Sequence, residues 1–438
     1  MRVLVIGSGG REHAMCWALA KGPEVQAIYA APGNPGMAEL GRTFPVRVDD
    51  VAGIVRCADE LAPDLVVIGP ETPLALGVVD ALMAAGHRAF GPSAAASRIE
   101  SSKAFAKAVM DRAGVPTAGY QVFDNADAAR AAALEWGGPL VVKLDGLAAG
   151  KGVIVADSPE GGAQAVDELA AGAVAAGAAT GASGATADGG QPRFILEERL
   201  SGYEVSVFAV SDGLNIRMLI PAQDHKRAFD GDVGPNTGGM GAVAPVPSLT
   251  AKQLHEVADT IMAPIIGQLA DEGSPFTGVL FAGLMMTEHG PKVLEFNCRL
   301  GDPETQAVLP LLRTPFVEVV DAACQPGGLT GAAEIEFEPA AAACVVMAAP
   351  GYPGRVTSGQ EITLPSRAAL GDDATVFHAG TAMKYGKLVA AGGRVVAVTS
   401  VGSDLAAARR RAYEVVEQIK FDGAHYRRDI GARADARG

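Results

Sequence analysis

The stretch VVKLDGLAAGKGVIV, Val141 to Val155, carries two lysines and three glycines between apolar runs. A lysine beside a glycine-rich turn is typical of a phosphate-binding loop. The Walker A loop, however, has four residues between its glycines and a Ser or Thr directly after its lysine. Here three residues separate Gly146 from Gly150, and Gly152 follows Lys151, so no hydroxyl stands ready for Mg²⁺. The stretch therefore indicates a nucleotide-binding architecture other than the P-loop fold.

Lys143 in the same stretch lies at the end of the apolar strand pattern PLVVKLDG. A buried, unpaired ammonium group is energetically costly, so Lys143 requires an anionic partner. A nucleotide phosphate satisfies this requirement, and so does a carboxylate of the chain, either that of Asp145 or that of a later glutamate. The glycines that follow would let backbone N–H groups approach a polyphosphate.

The composition is that of a soluble globular protein with several domains. A length of 438 residues suggests roughly three domains, and 49% hydrophobic with 20% charged residues is ordinary for such proteins. The net charge of −14 argues against a general nucleic-acid-binding protein, which would show a basic face. No apolar run approaches about 18 residues, so we expect no membrane span. Five scattered cysteines without a Cys-x-x-Cys pair indicate reduced thiols, and the expected location is the cytoplasm.

The first hundred residues alternate short apolar runs with helical patterns, which predicts βαβ units and a Rossmann-like sheet. The opening VLVIGSGGREHA matches a dinucleotide fingerprint only in part. Gly7 and Gly9 fit, but Glu12 stands where a small third residue is needed, and the acidic ribose ligand about twenty residues later is missing. These departures disfavour an NAD site. Gly10 and Arg11 at the predicted helix start could instead hold a phosphate, or the glycines could serve the turn alone.

The region from residue 101 to 330 begins with a predicted helix, SSKAFAKAVMDRAGVP, and continues with strand patterns such as GYQVF and YEVSVFAVSDG. The Ala/Gly tract at residues 170–191 has almost no bulky side chains, which predicts a mobile surface loop. The segment GDVGPNTGGMGA is interpreted as a flexible loop, and TAKQLHEVADTIMAPIIGQLADEG as one long helix. From about residue 335, short strands and one amphipathic helix indicate a small third domain.

The segment VLEFNCRLGDPETQ has the most specific pattern. Glu295, Asn297 and Arg299 alternate along a predicted strand and share one face, whereas the intervening Phe296 and Cys298 are apolar. Two oxygen ligands on one face suit Mg²⁺, which completes its coordination with phosphate oxygens and water. An adjacent arginine can stabilise the charge that develops in phosphoryl transfer. A surface strand is the simpler alternative, but the apolar opposite face indicates that one side is buried.

Two further charged clusters are less specific. In FILEERL, Glu197 and Glu198 are adjacent, so only one of them can face a given cleft, and Glu204 follows in the next strand pattern. The charges of QDHKR, residues 223–227, precede the glycine-rich segment. They form either a solvated face or a substrate site with a lid.

Taken in order, eight segments resemble the phosphoribosylamine–glycine ligase (glycinamide ribonucleotide synthetase) family of purine biosynthesis, which has an ATP-grasp fold. They are VLVIGSGGREHA, APGNPG, VIGPETPLALGVVD, SSKAF, DGLAAGKGV, QDHKR, GPNTGGMGA and EFNCRLGDPETQ. The resemblance implies a multidomain protein with α/β and α+β parts. These are a Rossmann-like N-terminal domain (1–100), ATP-grasp central domains (101–330, with a small flap subdomain at 117–200) and a small C-terminal β-rich domain (331–438).

The resemblance also implies a reaction, in which ATP drives the joining of glycine to 5-phosphoribosylamine through glycyl phosphate. It implies ATP and Mg²⁺ or Mn²⁺ as cofactors, small-molecule substrates as the partners, no nucleic acid, no membrane, and a monomer. The number of metal ions is left open.

By position, the resemblance implies several sets of site residues. The nucleotide set is Lys103, Lys143, Gly150, Lys151, Gly152, Glu197, Glu198, Leu200 and Glu204. The substrate set is Gly9, Gly10, Arg11, Glu71, Asp224, His225, Lys226, Gly238, Gly239, Met240 and Asp302. Glu295 and Asn297 are the implied metal ligands. Asp224 and Arg299 are the implied catalytic residues, Asp224 toward the glycine ammonium and Arg299 toward its carboxylate or the transferring phosphoryl group.

Three alternatives fit part of the pattern. An NAD-dependent oxidoreductase could be built on the N-terminal sheet, but Glu12 counts against it. A non-catalytic nucleotide-binding module is disfavoured by the intact Glu295, Asn297 and Arg299. Another ATP-grasp ligase or carboxylase is a nearer rival, and the segment GPNTGGMGA favours the glycine ligase instead.

Overall fold

A computed structural model describes residues 1–147, 152–180 and 192–432. The chain forms two compact units. Unit 1 consists of Met1–Ser97, Val205–Ala282 and Asn297–Gly438, and unit 2 consists of Arg98–Glu204 and Gly283–Phe296. The chain therefore passes between the units four times, after residues 97, 204, 282 and 296.

Unit 1 begins with a five-stranded parallel sheet. Its strands are β1 (Arg2–Gly7), β2 (Ala27–Pro32), β3 (Arg42–Thr43), β4 (Leu65–Ile68) and β5 (Ala89–Phe90), in the order β3-β2-β1-β4-β5. The helices are α1 (Gly10–Leu19), α2 (Pro35–Leu40), α3 (Val51–Leu61), α4 (Glu71–Ala75), α5 (Val78–Ala84) and α6 (Ala94–Ser101), the last of which continues into unit 2. The predicted Rossmann-like sheet is confirmed. The single helix expected over TPLALGVVDALMAAG is instead α4 and α5, because Gly77 has a φ of 79°, which interrupts the helix.

Unit 2 contains a four-stranded antiparallel sheet with the order β6-β9-β7-β8. Its elements are α7 (Lys103–Ala113), β6 (Tyr120–Phe123), α8 (Ala126–Leu134), β7 (Leu140–Leu144), β8 (Val153–Ala156), α9 (Pro159–Thr180) and β9 (Phe194–Glu198). Leu140 and Val142 on β7 belong to the apolar core shared with α8 and α9. Because side chains alternate along a strand, Val141 and Lys143 face the opposite side, where Val141 pairs with Glu197 of β9.

The Ala/Gly tract is in part a helix. The prediction of a mobile loop at residues 170–191 is wrong for residues 170–180, which belong to α9. Small side chains do not preclude order here, since alanine has the highest helix propensity and Val166, Leu169 and Ala173 bury one side of the helix. Residues 181–191 lie outside the described residues.

The remaining strands are β10 (Tyr203–Asp212), β11 (Ile216–Met218), β12 (Gln223–Asp224), β13 (Arg227–Phe229), β14 (Val233–Asn236), β15 (Gly241–Ala244), β16 (Thr277–Thr287), β17 (Gly290–Asn297), β18 (Ala341–Ala348), β19 (Ala374–His378), β20 (Thr381–Lys384), β21 (Lys387–Ala390) and β22 (Arg394–Gly402). The remaining helices are α10 (Ala251–Val257), α11 (Ala263–Asp271), α12 (Glu304–Val308), α13 (Phe316–Ala323), α14 (Arg367–Leu370) and α15 (Leu405–Val416). A π-helical turn, Ala258–Met262, joins α10 to α11, and a 3₁₀ turn, Leu309–Leu311, follows α12. The predicted long helix is thus continuous but contains a π turn just before Pro264.

These strands form two larger sheets and two hairpins. One sheet has the order β11-β10-β16-β17, and the chain crosses between the units within its strands β10, β16 and β17. The other sheet, β12-β15-β18-β22-β19, is antiparallel and packs against α15 through a core that includes Val345, Val398 and Val415. It combines strands from residues 223–244 with strands from residues 341–402. The predicted three-domain boundaries stay a prediction.

The segment GDVGPNTGGMGA is more regular than predicted. The hairpin of β13 and β14 contains part of this segment. The second hairpin, of β20 and β21, lies elsewhere in the chain. β14 occupies Val233–Asn236 and β15 starts at Gly241, so the interpretation of the whole segment as a flexible loop is wrong. Gly231 and Gly234 have φ values of 76° and 83°. Glycine adopts such values without steric cost, so these two residues allow the backbone conformation of the hairpin.

Within residues 1–147, 152–180 and 192–432, every helix is too short or too polar to cross a bilayer.

Candidate active site

In unit 1, the carboxylate of Glu71 lies between two guanidinium groups. Glu71 is the first residue of α4, directly after strand β4, and Arg299 follows the end of β17. Arg299 Nε donates to Glu71 Oε2 over 3.2 Å, and Arg11 NH2 is 3.9 Å from the same oxygen. Burial alone would raise the pKa of Glu71, but Arg299 and then Arg11 reverse this effect and leave the pKa lowered. Glu71 is therefore an anion that holds two cations together.

Glu12 explains why the N-terminal turn departs from the dinucleotide fingerprint. Its carboxylate accepts the Gly9 N–H at 2.6 Å, at the start of α1, and accepts Arg11 Nε at 2.5 Å. A Cβ atom on Gly7 would lie only 2.3 Å from Glu12 Cγ, so the glycine makes room for this side chain. A fixed negative charge at the turn disfavours a pyrophosphate in that position. Arg11 is also anchored to the Leu300 carbonyl at 3.1 Å.

Asp302 connects this cluster to strand β22. Its carboxylate lies 3.3 Å from Arg394 NH2 and accepts Gln306 Nε2 at 2.7 Å. Burial acts to raise the pKa of Asp302, but Arg394 and Arg11 outweigh it, so the pKa is lowered. Arg394 also donates to the carbonyls of Gly238 (2.5 Å) and Asp302 (2.6 Å). The glycine-rich segment is thereby tied to the loop that carries Asp302.

Glu304 is a buried carboxyl group at the start of α12. It accepts Ser206 Oγ at 3.1 Å, and only 4% of the residue is exposed. Burial raises its pKa, and the hydrogen bond to its own backbone N–H and the charges of Arg299 and Lys226 offset this only in part. The raised pKa means that Glu304 holds a proton more readily than an ordinary glutamate does.

The QDHKR residues occupy the end of β12 and the start of β13. Asp224 pairs with Ala242 of β15. His225 Nε2 accepts the Gly431 N–H at 3.0 Å, and burial, followed by the charge of Arg427, lowers its pKa to about 4. A neutral, hydrogen-bonded His225 is suited to anchoring the backbone. The Met240 N–H donates to the His225 carbonyl at 2.8 Å, which places Gly238–Met240 beside Lys226.

In unit 2, two lysines share one carboxylate. Lys143 Nζ lies 2.9 Å from Glu197 Oε2, and Lys107 Nζ lies 3.1 Å from Glu197 Oε1. Lys143 also donates to the Leu294 carbonyl at 2.8 Å, and Lys107 to Thr117 Oγ1 at 2.7 Å. The three charged groups are almost completely buried. Of the partners left open for Lys143, the structure provides a later glutamate, Glu197, and not Asp145.

Lys103 lies close to this group at the start of α7. Its ammonium donates to the Gly146 carbonyl at 2.8 Å. Burial lowers its pKa, the carboxylate of Glu295 opposes this shift, and the charge of Lys143 adds to it. The carboxylate of Asp145 accepts the backbone N–H groups of Ala104 and Gly146 at 3.2 and 3.1 Å. Lys103, Lys143 and Glu295 therefore act on one another within unit 2.

The other predicted nucleotide residues are more scattered. Glu198 accepts the Gly119 N–H at 3.3 Å and lies 3.7 Å from Lys292 Nζ. Because Glu198 is adjacent to Glu197 on β9, the two side chains lie on opposite faces of the strand. Gly152 accepts the Leu144 N–H at 2.8 Å. Leu200 lies beyond the end of β9, and Glu204 is the second residue of β10. Gly150 and Lys151 lie outside the described residues.

Glu295 and Asn297 are two residues apart on β17, as predicted, but β17 ends at Asn297, so the prediction that Arg299 continues the same strand is wrong. Within the described part of the chain, no group of three or more His, Cys, Asp or Glu side chains could hold a metal ion. A carboxylate and an amide oxygen are nevertheless hard donors of the kind that Mg²⁺ accepts when phosphate and water complete its coordination. The donor set fits a metal ion that binds together with a nucleotide.

Several residues of these clusters were not among the predicted site residues, although each makes side-chain hydrogen bonds or ion pairs. They include Lys107, Glu304, Gln306 and Arg394. Lys107 is four residues after Lys103 and thus on the same side of α7, which is the signal that could have identified it. Glu304 and Gln306 belong to the quoted segment VLEFNCRLGDPETQ, whereas Arg394 carries no distinguishing local pattern.

Family models match three parts of the chain. Residues 1–100 match "Phosphoribosylglycinamide synthetase, N domain", residues 101–305 match its "ATP-grasp (A) domain", and residues 342–433 match its "C domain".

Whole proteins are similar over the same span. A phosphoribosylamine–glycine ligase of Streptomyces coelicolor is 47% identical over 436 residues, covering 99% of both chains. A trifunctional purine biosynthetic protein adenosine-3 of Gallus gallus is 47% identical over 439 residues, and the chain spans 99% of its own length but 42% of that protein. The crystal structure of a phosphoribosylamine–glycine ligase from Thermotoga maritima has 35% identity and a TM-score of 0.79, covering 98% of this chain and all of that one.

Proposed function

The chain belongs to the phosphoribosylglycinamide synthetase family, and from this premise we propose that it joins glycine to 5-phosphoribosylamine in purine biosynthesis. The products would be glycinamide ribonucleotide, ADP and phosphate. The observation that carries the proposal is that the family match extends over both the Lys103–Lys143–Glu197 cluster and the Arg11–Glu71–Arg299 cluster.

Ligases of the ATP-grasp type use ATP with a divalent metal ion. We assign the phosphates to Lys103 and Lys143, whose ammonium groups are held in place by Gly146 and by Glu197 and Leu294. Glu295 and Asn297 would hold Mg²⁺, with Mn²⁺ as the alternative. When bound, the metal ion would neutralise negative charge on the polyphosphate.

In the first step, a carboxylate oxygen of glycine attacks the γ-phosphorus of ATP. The new P–O bond forms glycyl phosphate, and the bond to the leaving oxygen of ADP breaks. Arg299, fixed by Glu71, offers a guanidinium to the glycine carboxylate or the moving phosphoryl group. Asp224 would receive the glycine ammonium. The residues contribute orientation and charge neutralisation, which are the main sources of catalysis in phosphoryl transfer.

In the second step, the amine of phosphoribosylamine attacks the carbonyl carbon of glycyl phosphate. A C–N bond forms, phosphate leaves with the electron pair of the C–O bond, and the nitrogen releases one proton. Gly9, Gly10 and Arg11 at the start of α1 would line the phosphoribosylamine site, with the phosphate of that substrate away from the turn that Glu12 occupies. Lys226, Gly238–Met240 and Asp302 would complete the substrate site. A cytoplasmic monomer without nucleic-acid or membrane partners remains part of the proposal.

The test is ADP release measured with glycine alone, with phosphoribosylamine alone, and with both. Release that requires both, with a product of the mass of glycinamide ribonucleotide, would support the substrate pair. Glycine labelled with ¹⁸O in its carboxylate would transfer one labelled oxygen to the released phosphate, as glycyl phosphate requires. ADP release that is independent of either substrate, or phosphate without label, would refute the proposal.

A further inference from the structure

Arg427 is the largest fully buried side chain of the molecule among those described, with 1% of its surface exposed. It lies after α15, close to the end of the described chain. Its guanidinium binds both carboxylate oxygens of Asp429, each at 2.8 Å. It also donates to Asp232 Oδ1 at 2.8 Å and to the Arg227 carbonyl at 3.1 Å. Arg427 thus connects the C-terminal segment to the first residue of β13 and to the turn between β13 and β14.

The residues around Arg427 make parallel contacts, and we name residues 425–431 the C-terminal clamp. The contacts are His425 Nε2–H to the Ala228 carbonyl at 2.8 Å, the Arg428 N–H to Asp230 at 2.7 Å, the Gly231 N–H to Asp429 at 2.9 Å, and the Gly431 N–H to His225 Nε2 at 3.0 Å. The clamp therefore follows the chain from residue 225 to residue 232.

The clamped hairpin ends at the proposed substrate residues. The Lys226 carbonyl accepts both the N–H and the hydroxyl of Thr237, at 2.7 and 2.8 Å. Thr237 Oγ1 in turn accepts the Gly239 N–H at 3.0 Å. Lys226, on one side of the hairpin base, is thereby linked through hydrogen bonds to Gly238–Met240 on the other. A shift of β13 would move both groups.

The hairpin has no core of its own that would hold it. All four residues of β14 are exposed, and two glycines with positive φ lie in or beside the turn. A two-stranded hairpin is marginally stable in isolation. A buried guanidinium that binds one carboxylate with two parallel hydrogen bonds is among the strongest and most directional contacts available to a side chain. The clamp supplies the rigidity that the hairpin sequence lacks.

We propose that Arg427 is a positioning residue for the non-nucleotide substrates, which it serves by holding the β13–β14 hairpin so that Lys226 and Gly238–Met240 keep their arrangement. This inference rests on the proposed function for the identity of the substrates. The two lysines assigned to the ATP phosphates, Lys103 and Lys143, belong to unit 2, whereas the hairpin belongs to unit 1, so we expect a loosened hairpin to weaken mainly the use of glycine or phosphoribosylamine.

The experiment compares the wild-type enzyme with Arg427→Lys and Asp232→Asn. Lysine keeps the charge but lacks the planar fork that forms two parallel hydrogen bonds to Asp429 while a third N–H binds Asp232. Asparagine keeps the size of Asp232 and tolerates its φ of 65°, so this variant retains the turn even if Arg427→Lys folds poorly. We expect the KM for glycine or phosphoribosylamine to rise about tenfold or more in both variants, while the Kd for ADP changes less than about twofold. Arg411→Lys is the matched control, because Arg411 binds Asp373 and two carbonyls away from the hairpin.

A second measurement does not depend on turnover. Hydrogen exchange of the amides in residues 227–236 should accelerate about tenfold in Asp232→Asn and remain unchanged in Arg411→Lys. Unaltered exchange in the hairpin would overturn the inference whether or not the enzyme has the proposed activity. A loss of kcat at constant KM for every substrate would also overturn the inference, because that result indicates a reduced fraction of folded enzyme. A wild-type enzyme without glycine-dependent ADP release would refute the proposed function and leave the exchange result to decide the role of Arg427.

Discussion

Arg299 Nε donates a hydrogen bond to Glu71 Oε2 over 3.2 Å, although the two residues are 228 positions apart in the sequence. Arg299 follows β17, and Glu71 follows β4 of the parallel sheet. Arg11 approaches the same carboxylate oxygen. The position of the proposed catalytic arginine is therefore set by the N-terminal sheet as well as by its own strand.

Glu71→Gln should lower kcat/KM for the complete reaction by roughly 10²-fold, because the substitution removes the negative charge that lies between the guanidinium groups of Arg299 and Arg11. Steady-state kinetics with each substrate varied would measure this. Asp321→Asn is a suitable control, since Asp321 pairs with Arg88 at 2.6 Å in the same unit but outside the cluster. Equal rates in the wild type and Glu71→Gln would show that the pairing has no part in catalysis.

Glu295→Ala should lower turnover by roughly 10²- to 10³-fold with the fold intact, because a charged ligand of the proposed metal ion would be lost. The Mg²⁺ concentration needed for half-maximal rate should rise as well. Glu288→Ala is the comparison, since Glu288 is an exposed residue between β16 and β17. A near-normal rate with unchanged Mg²⁺ dependence would mean that the metal site is misplaced.

Lys107→Met should weaken ATP binding about tenfold, because Glu197 would then neutralise Lys143 alone and leave it less able to attract phosphate. In the wild type, burial lowers the pKa of Lys107 to about 8, with the charge of Glu197 opposing the shift. Lys107 consequently loses its proton as the pH rises above about 8, and ATP affinity should fall in that range.

Calorimetric titration with ATP from pH 7 to pH 9 would measure both effects. The variant should lose the decline near pH 8. Lys292→Met, which removes an ammonium 3.7 Å from Glu198, should keep it. Identical pH profiles in the wild type and Lys107→Met would contradict the assignment.

His225 should make the protein sensitive to acid. Burial and then Arg427 lower its pKa to about 4, with Asp232 and Asp429 acting in the opposite direction, whereas the unfolded chain has a value near 6.5. Below pH 6.5 the unfolded chain binds a proton that the folded protein excludes until about pH 4. Stability is therefore complete above pH 6.5 and declines as the pH falls to about 4, by about 3 kcal/mol for this residue.

Urea unfolding at several pH values would test this. His225→Gln, which keeps an acceptor for the Gly431 N–H without titrating, should show a flatter dependence by that amount. His255→Gln, at an exposed position on α10, should match the wild type. A parallel slope in His225→Gln would exclude His225 as the group responsible.

Local pattern was sufficient for much of the fold. The period-two alternation around Phe296 predicted β17 and the shared face of Glu295 and Asn297, because strand geometry depends only on adjacent residues. Four of the five parallel strands, β1, β2, β4 and β5, followed from apolar runs, whereas β3 consists of the exposed polar residues Arg42 and Thr43 and gave no such signal. Composition was less reliable where small residues dominate. Alanine and glycine at residues 170–180 suggested a loop, although packing of one apolar side orders the helix.

Long-range partners were beyond local pattern. Lys143 required an anion, for which Asp145 and a later glutamate were both candidates, and only the pairing of β7 with β9 identifies that glutamate as Glu197. The pairing of Asp232 with Arg427 likewise joins residues 195 positions apart. The role of a charged side chain in this protein depends on which strand or segment lies opposite, and that is a property of topology.

The four passages of the chain between its two units have a consequence for dissecting the protein. A gene fragment for residues 98–204 would encode unit 2 without Gly283–Phe296. Deletion of residues 98–204 would leave Gly283–Phe296 in the remaining polypeptide without the rest of its unit. A single proteolytic nick could not liberate either unit, since the backbone would still join them elsewhere. Separate expression of each unit would require new peptide connections between its segments, for example in a circularly permuted chain.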